Sequence, residues 1–562
     1  MRWAYILLAI AIILIVWINF MEQQKYDQIT DNLEKTPGQK QEEEEKETKD
    51  SLLSEMAVAA DHPVAVDIGV AVLENGGNAV DAAVAVAYAL SVLEPDASGL
   101  GGGGLMLVHP TDEEEPVLYD YREVAPSSPA DEDDAIGIPG FVKGMEQVHR
   151  DFGTIGIQEL IEPSVVLAEE GIEVSQHLYE RLKNAAYRMP VDELENFYPD
   201  GQPIQSGKLL KQQDLADTLR KIQTEGSSVF YTGSIGEKIE EELGISTKDM
   251  REYRVETPDP LSAEFAGYEV YAPSPPSGGL MMLQSLQLAE RLELEKTKGH
   301  RAEFIHMVTE VIKRTYRSRL ENIGDPAFED VPVEKLLSSD YIEELGETID
   351  EDDVTEEYLS RLDTEADRED NSDTTHFVVV DSDGMMVSST NTLSNFFGTG
   401  EQVAGVFFNN QLDNFSSDED SPNARESGKR PHSYTTPMIF TEEGKPVMGI
   451  GAAGGRRIPA TLLQVILKLH FYNENPKTAL SDPRFFGQVN ENEIYLEESE
   501  SDDVEDELDD LGYNVEDSKS PTYFGAVQML WVDYSHDIIR GAADPRRNGT
   551  WKVQPIDVSL TK

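Results

Sequence analysis

Two adjacent threonines, Thr374 and Thr375, stand where an acidic stretch gives way to the β-patterned run 377–381. A hydroxyl residue at such a junction is ordinarily no more than the start of a strand. If the peptide bond between Asp373 and Thr374 is cut, however, the freed α-amine can act as general base for the hydroxyl of the same residue. The pattern therefore allows two interpretations, a plain strand start or a self-generated threonine nucleophile.

Glycines and arginines elsewhere supply other parts of acyl-transfer chemistry. Gly454 and Gly455 close the glycine-rich run 449–455, where adjacent unhindered backbone N–H groups could form an oxyanion hole. Arginine can grip a carboxylate through two parallel hydrogen bonds. Each arginine alone is weak evidence, because most lie at the surface or in ion pairs. The candidates in this acidic chain are Arg122, Arg457, Arg546 and Arg547.

The segments that must position these residues show helical and strand patterns on both sides of an acidic stretch. Residues 345–373 hold 13 carboxylates and little apolar periodicity, which predicts an exposed linker open to cleavage. Because both sides carry both patterns, the sequence predicts one α+β domain assembled from residues 56–373 and 374–562. The predicted helices are 79–93, 302–320 and 460–472, and the predicted strands are 377–381, 386–390 and 404–408.

The composition excludes several classes of function. The chain has 108 acidic and 46 basic residues, a formal charge of −62, so nucleic acid is excluded as a partner. Salt would relieve the resulting self-repulsion, and a saline habitat is one hypothesis for such a charge. The absence of cysteine excludes disulfides and thiolate catalysis. The ten histidines show no metal-binding spacing, and we expect neither a metal nor another cofactor.

The N-terminus predicts an attachment to a membrane. Arg2 precedes the 18-residue run 3–20, which is apolar apart from Tyr5 and Asn19 and approaches the length of one bilayer crossing. No small-residue cleavage site follows the run, so residues 1–20 are predicted to be an uncleaved anchor rather than a signal peptide. The lone basic residue before the run places the rest of the chain outside the cell. Residues 21–55 are predicted to be a solvated acidic tether.

From about residue 57 to its end, the chain resembles the γ-glutamyltranspeptidase family of N-terminal-nucleophile hydrolases. Many motifs occur in the family's order, which rarely happens by chance. Within the family, the run 387–400 and the C-terminal 546–551 are most similar to the members that process poly-γ-glutamate capsules. The other motifs that carry the resemblance are 76–83, 98–104, Arg122-Glu123, Thr374-Thr375-His376, Asn409-Asn410-Gln411 and the segment containing Gly454-Gly455.

The resemblance implies a four-layer αββα sandwich, made as a proenzyme that cleaves itself before Thr374 into two chains that stay associated. Thr374 matches the family's nucleophile, and Thr392 matches a second threonine that assists it. Gly454 and Gly455 match the oxyanion donors. The positions that match substrate-binding residues are Arg122 and Ser433, which would hold the γ-glutamyl α-carboxylate, and Arg457 and Arg547, the extra arginines of the capsule enzymes.

Departures from the glutathione-processing pattern bear on the substrate. Asn414 stands where those enzymes carry an Asp that binds the free α-amino group, and inside a γ-linked polymer that nitrogen is an amide. The family's paired serines are replaced by Ser433-Tyr434, and only thirteen residues separate Phe415 from Lys429, too few for a long lid. An open groove admits a polymer, whereas a lidded pocket suits a small peptide.

The sequence therefore predicts an extracytoplasmic, membrane-anchored γ-glutamyl acyltransferase or hydrolase acting on poly-γ-glutamate. The acyl group would pass from Thr374 to an amine or to water. One alternative is a glutathione hydrolase or γ-glutamyltransferase, whose substrate is a small γ-glutamyl peptide. An alternative of another class is a non-catalytic capsule-binding surface protein, which the presence of both Thr374 and Thr392 argues against.

Overall fold

Two six-stranded antiparallel sheets face each other at the centre of the molecule. They are seen in a computed structural model that describes residues 53–111, 113–127, 134–355, 372–489, 491–516 and 519–556. The first sheet has the strand order β19-β1-β8-β9-β2-β3. Its strands are β1 (Glu55–Ala60), β2 (Gly103–His109), β3 (Val117–Asp120), β8 (Ser372–Val380), β9 (Met386–Asn395) and β19 (Thr550–Pro555).

The second sheet has the order β18-β17-β13-β12-β7-β6. Its strands are β6 (Leu261–Phe265), β7 (Tyr268–Ala272), β12 (Met438–Glu442), β13 (Lys445–Ala453), β17 (Ala526–Asp533) and β18 (Ile538–Ala543). In the described ranges, seven further short strands form three smaller sheets. They are β4 (Ile172–Glu173), β5 (Leu209–Leu210), β10 (Gln402–Val403), β11 (Val406–Phe407), β14 (Phe485–Gly487), β15 (Glu493–Leu496) and β16 (Asn514–Glu516).

Strand β8 shows why the sheets pack face to face. Its side chains alternate, as the period of two in a strand requires. Val378 and Val380 point into an apolar layer between the sheets, where they meet Ile439 and Leu530 of the second sheet. The intervening Phe377 and Val379 point the other way, into the core beneath the helices, so both faces of the strand are buried.

Helices cover the outer face of each sheet. Against the first sheet, the alanine-rich helix 79–93 is buried along its whole length and begins with a capping box between Asn78 and Asp81. Helices 279–291 and 458–470 pack against the second sheet, and helix 301–322 packs against both of them. The αββα sandwich predicted from the resemblance is therefore confirmed.

The helices are numbered in chain order. They are α1 (Pro63–Glu74), α2 (Ala79–Leu93), α3 (Phe141–Phe152), α4 (Ile157–Glu170), α5 (Gln176–Ala185), α6 (Gln213–Glu225), α7 (Ser228–Tyr231), α8 (Ser234–Leu243), α9 (Thr247–Glu252), α10 (Gly279–Arg291), α11 (Arg301–Asn322), α12 (Val333–Leu336), α13 (Ser339–Gly346), α14 (Ile458–His470), α15 (Pro476–Ser481) and α16 (Asp502–Asp510).

All three strand predictions differ from the structure, and the one over 386–390 is too short, because β9 continues to Asn395. The strand predicted over 377–381 begins earlier, at Ser372, because β9 is long enough to pair across the acidic junction. The strand predicted over 404–408 is instead the hairpin β10–β11, since Ala404 and Gly405 take positive φ angles of 52° and 78° and form its turn.

Several predictions about the chain's organisation fall partly outside the described residues. The anchor 1–20 and nearly all of the tether 21–55 lie there, as do residues 356–371 of the acidic linker. In the described part of the linker, the Arg314 guanidinium donates to the Thr348 and Thr355 hydroxyls at 2.7 Å, which ties this segment to α11. Of the helices in the described ranges, none is long and apolar enough to span a bilayer.

Candidate active site

The two threonines singled out by the sequence meet on neighbouring strands. Thr374 of β8 pairs with Thr392 of β9, and its Oγ1 lies 3.3 Å from Thr392 Oγ1. Thr392 Oγ1 also accepts the amide N–H of Ser394 at 2.9 Å. The register shifts between Asp373 and Thr374, so that a β-bulge bends the pair of strands at the predicted scissile bond. Both threonines are buried.

Asp61, which follows β1, fixes the residues after Thr374 and was not predicted from the sequence. Its carboxylate accepts the His376 amide at 3.1 Å, the Thr375 hydroxyl at 3.3 Å and the Gln528 side-chain amide at 2.6 Å. Gln528 belongs to β17, so this buried carboxylate joins β8 to the second sheet. Only the fold brings these residues together, and no spacing in the sequence indicates it.

A second carboxyl, that of Glu94, lies beside the same strand. Burial raises the pKa of Glu94 well above its usual range, and the nearby charges of Asp61 and Asp96 raise it further. A hydrogen bond with the Thr375 side chain and the charge of Arg547 act in the opposite direction. Glu94 therefore favours its protonated form beside β8.

Arg122, predicted to hold the substrate carboxylate, already has a carboxylate partner. Its Nε and Nη2 atoms donate to Asp120 at 3.1 and 2.5 Å, and the whole pair is buried. Burial would raise the pKa of Asp120, but the charges of Arg122 and Arg430 outweigh it and the pKa is lowered. Among the described residues, Arg122 Nη1 donates only to the Pro431 carbonyl, at 3.4 Å, so this nitrogen is the one best able to turn to a ligand.

Glu123 is a site residue whose role the sequence did not suggest, although it stands in the Arg122-Glu123 motif. It is fully buried, and neither carboxyl oxygen meets a hydrogen-bond donor among the described residues. Burial raises its pKa to about 8. A Cβ added at Gly103, which pairs with Thr392, would lie 3.0 Å from Glu123 Oε2. A neutral carboxylic acid thus lies beside the strand that pairs with Thr392.

The predicted oxyanion donors lie at a tight bend after β13. Gly454 and Gly455 have φ angles of 139° and 57°, in the region that favours glycine. A Cβ at Gly454 would come within 2.9 Å of the Gly525 Cα. The 3₁₀ turn Gly455–Arg457 that follows contacts β8, so the structure brings these backbone groups to the strand of Thr374.

The structure separates the adjacent arginines Arg546 and Arg547. Arg546 is buried and ion-paired, donating from Nε to Glu497 at 2.8 Å and from Nη1 to Asp544 at 3.2 Å. Arg547 Nη1 instead donates to the Thr374 carbonyl at 3.0 Å. Of the two, Arg547 is therefore the one that reaches Thr374.

The structure gives different surroundings to the remaining predicted binding residues, which are Asn414, Ser433, Tyr434 and Arg457. Asn414 is linked to Thr392 through Ser394. Its Nδ2 lies 3.4 Å from the Ser394 hydroxyl, and the Ser394 amide donates to Thr392 Oγ1. The Ser433 hydroxyl is 2.8 Å from that of Thr435, whereas Tyr434 is buried against α11 with its ring 4.1 Å from the Arg319 guanidinium. Tyr434 therefore packs inward instead of lining an open pocket. Arg457, also buried, stacks at 4.3 Å on the Tyr523 ring.

Two buried histidines, His376 and His432, lie near these residues. Burial lowers the pKa of His376 to about 3, and its Nδ1 lies 2.8 Å from the Thr390 hydroxyl. Burial, followed by the charge of Arg319, lowers the pKa of His432 well below its usual value. In the ranges that the structure describes, no group of three histidine or carboxylate side chains is arranged to hold a metal ion.

Comparisons with known proteins match nearly the whole of the described chain. The family model described as Gamma-glutamyltranspeptidase matches residues 65–553. The capsule biosynthesis protein CapD proenzyme of Bacillus anthracis is 41% identical over 495 residues, covering 88% of this chain and 90% of its own. A glutathione hydrolase proenzyme of Bacillus subtilis (strain 168) is 32% identical over 533 residues, covering 88% and 90%. The crystal structure of a cephalosporin acylase from Bacillus halodurans superimposes with a TM-score of 0.80 at 25% identity, covering 92% of this chain and 99% of that one.

Proposed function

This chain belongs to the γ-glutamyltranspeptidase family, as its motifs predicted, and we propose that it cleaves poly-γ-glutamate through a γ-glutamyl-Thr374 ester. Activity as a γ-glutamyl transferase or hydrolase follows from the family. The observation that carries the finer proposal is the contact between the Thr374 and Thr392 hydroxyls at the β-bulge. There, cleavage before Thr374 would create an amine and a hydroxyl on one buried residue.

The proposed chemistry begins with self-cleavage between Asp373 and Thr374. In the mature enzyme the Thr374 α-amine takes the proton from its own Oγ1, which attacks the γ-amide carbonyl carbon. The N–H groups of Gly454 and Gly455 stabilise the oxyanion, and Arg122 and Ser433 hold the α-carboxylate. The C–N bond then breaks, the leaving amine takes the proton, and the ester is passed to another amine or to water.

Two features favour a polymer over glutathione. The first is Asn414, a neutral amide near Thr392, which suits an amide nitrogen better than a free ammonium group. The second is the segment 416–428, which folds back on itself instead of extending as a lid. The Ser416 amide donates to the Asn423 carbonyl at 3.0 Å, and Asn423 Nδ2 donates to the Asn414 carbonyl at 2.7 Å. The similarity to the CapD proenzyme points the same way.

A direct test compares the wild type with Thr374→Ala. We expect the wild type to separate into two chains on a denaturing gel and to release γ-glutamyl fragments from poly-γ-glutamate. Thr374→Ala should stay a single chain and release none. If both proteins stay intact and behave alike, the enzyme proposal is wrong, and a non-catalytic capsule-binding protein becomes the better account. A strong preference of the wild type for glutathione would replace the polymer with the small peptide.

We also propose an extracytoplasmic location, with residues 1–20 as a single-pass anchor. Support comes from the apolar run after Arg2 and from an external polymer as substrate. Fractionation of cells producing the full chain and a version that lacks residues 2–50, which keeps all of β1, tests this. We expect only the full chain in the membrane fraction, and equal recovery of both in the soluble fraction would contradict it.

A further inference from the structure

A short row of cations over aromatic rings lies beside the candidate oxyanion glycines. Arg457 Cζ is 4.3 Å from the centroid of the Tyr523 ring. Lys519 Nζ is 5.9 Å from the same centroid and 4.3 Å from that of Tyr495. The Tyr495 and Tyr523 rings meet edge to face at 5.8 Å, so the two cations share one aromatic support.

This row is connected to the catalytic bend by the backbone. Tyr523 precedes Phe524 and Gly525, and Gly525 lies against Gly454 so closely that a Cβ on Gly454 would be 2.9 Å from its Cα. The Thr461 hydroxyl donates to the Phe524 carbonyl at 2.8 Å, which fixes this stretch to helix α14. The aromatic support therefore has a set position relative to the oxyanion hole.

Lys519 forms no ion pair among the described residues, which is unusual for a cation in a chain of net charge −62. Its side chain is half-buried. The Tyr495 hydroxyl, rather than the lysine, is what meets the neighbouring carboxylate of Glu493, at 3.0 Å. A ring face holds an ammonium group in place without neutralising its charge, so Lys519 can still attract an anion.

We propose that Lys519, supported by Tyr495 and Tyr523, forms a carboxylate subsite for a γ-glutamyl unit of a bound polymer beyond the one that reacts. The inference rests on the proposed polymeric substrate, which carries one carboxylate per unit. A γ-linked unit has five backbone atoms instead of three, so it extends to roughly 6 Å. Arg457 and Lys519, both within 6 Å of the Tyr523 centroid, therefore lie no more than two units apart.

The test compares a γ-linked hexaglutamate with γ-glutamyl-p-nitroanilide, a donor with a single carboxylate. In Lys519→Gln we expect the ratio of the hexamer KM to the anilide KM to rise about two- to fivefold, the range for one exposed ion pair. Lys519→Arg keeps the charge and should retain the wild-type ratio. The matched control is Lys445→Gln, because exposed Lys445 lies 5.5 Å from the Tyr534 ring at the opposite end of β13 from the glycines.

Any result other than these would contradict the proposed subsite. If the KM ratio is unchanged in Lys519→Gln, Lys519 does not contribute to polymer binding. If Lys445→Gln changes the ratio equally, the effect comes from the net charge and not from a local subsite. Failure of the proposed function looks different, since the wild type would then turn over the anilide but not the hexamer, and the subsite would fall with it.

Discussion

Among the residues of the candidate site, Glu123 is the one whose burial is hardest to reconcile with a charged carboxylate. A carboxyl group without a hydrogen-bond donor is costly to bury, and an ionised one far more so. Glu123 is fully buried, and burial raises its pKa to about 8. It therefore remains a neutral acid under conditions where most carboxyls are charged. Its place beside Gly103 and the strand of Thr392 makes its protonation relevant to the site.

The raised pKa of Glu123 predicts a pH-dependent stability. Between about pH 4.3, where an unfolded glutamate titrates, and pH 8, the native state holds a proton that the unfolded state has released. The free energy of unfolding should therefore fall with rising pH in that window and level off above it. Glu123→Gln removes this contribution, so from pH 5 to pH 8 the variant should gain on the order of 2–4 kcal/mol relative to the wild type.

Chemical denaturation at several pH values measures the effect. The quantity to compare is how the difference in unfolding free energy between Glu123→Gln and the wild type changes with pH. The new amide also lowers the stability of the variant, but by an amount that does not depend on pH. Glu74→Gln, a change at an exposed position on α1, serves as the control and should follow the wild-type profile. Parallel profiles for wild type and Glu123→Gln would mean that Glu123 does not hold a proton in this window.

At the scale of elements, β8 contacts β9 at the bulge on one side of Thr374 and Asp61 on the other. We expect Asp61→Ala to slow self-cleavage about tenfold or more, because small displacements of reacting groups are costly in rate. It should also lower stability by about 1–3 kcal/mol, since three buried donors lose their acceptor. A gel time course of fresh protein, together with a thermal melt, measures both effects.

Asp61→Asn and Asp67→Ala sharpen this test. The first keeps the volume and one acceptor oxygen, so it separates a loss of positioning from a loss of folding. Asp67 is an exposed residue of α1 whose ion pair with Lys552, at 3.2 Å, contributes little to stability. Cleavage of a folded Asp61→Ala protein at the rate of Asp67→Ala would show that the carboxylate does not position the junction.

The elements themselves differ in how far the sequence predicts them. Helix α2 matches its predicted bounds because alanine content and the Asn78–Asp81 capping box are local signals. The hairpin β10–β11 was predicted as one strand, since nothing in Ala404 marks it as a turn residue with positive φ. The start of β8 was misplaced because it depends on the length of its partner, β9.

The candidate site shows the same division between local and long-range information. Motif matching named Thr374, Thr392 and both glycines, and the fold brings their strands together. It did not foresee that Asp120 occupies two nitrogens of Arg122, or that Tyr434 turns inward onto Arg319. Nor did it identify Asp61, whose partners are 314, 315 and 467 residues away in the chain. Such contacts depend on packing that one sequence does not display.

At the scale of the whole molecule, the two segments flanking the junction are interleaved in both sheets. In the first sheet β8 and β9 lie between β1 and β2, and in the second β12 pairs with β7. Cleavage before Thr374 would cut β8 after its second residue, but it would leave the pairing of residues 374–380 with β9 and the β12–β7 ladder in place. The two chains predicted to form would therefore stay associated through the sheets and the apolar layer between them.

The net charge of −62 sets the response of the whole molecule to salt. Raising the salt from about 0.1 to 1 M shortens the Debye length from about 10 to 3 Å, which screens self-repulsion and the repulsion of a polyanion while leaving contacts at a few ångströms less affected. We expect the melting temperature to rise and the KM for poly-γ-glutamate to fall at least twofold across this range. The KM for γ-glutamyl-p-nitroanilide, with one carboxylate, should change less. A polymer KM that rises with salt would mean that local pairing with the arginines and Lys519 outweighs the field of the whole protein.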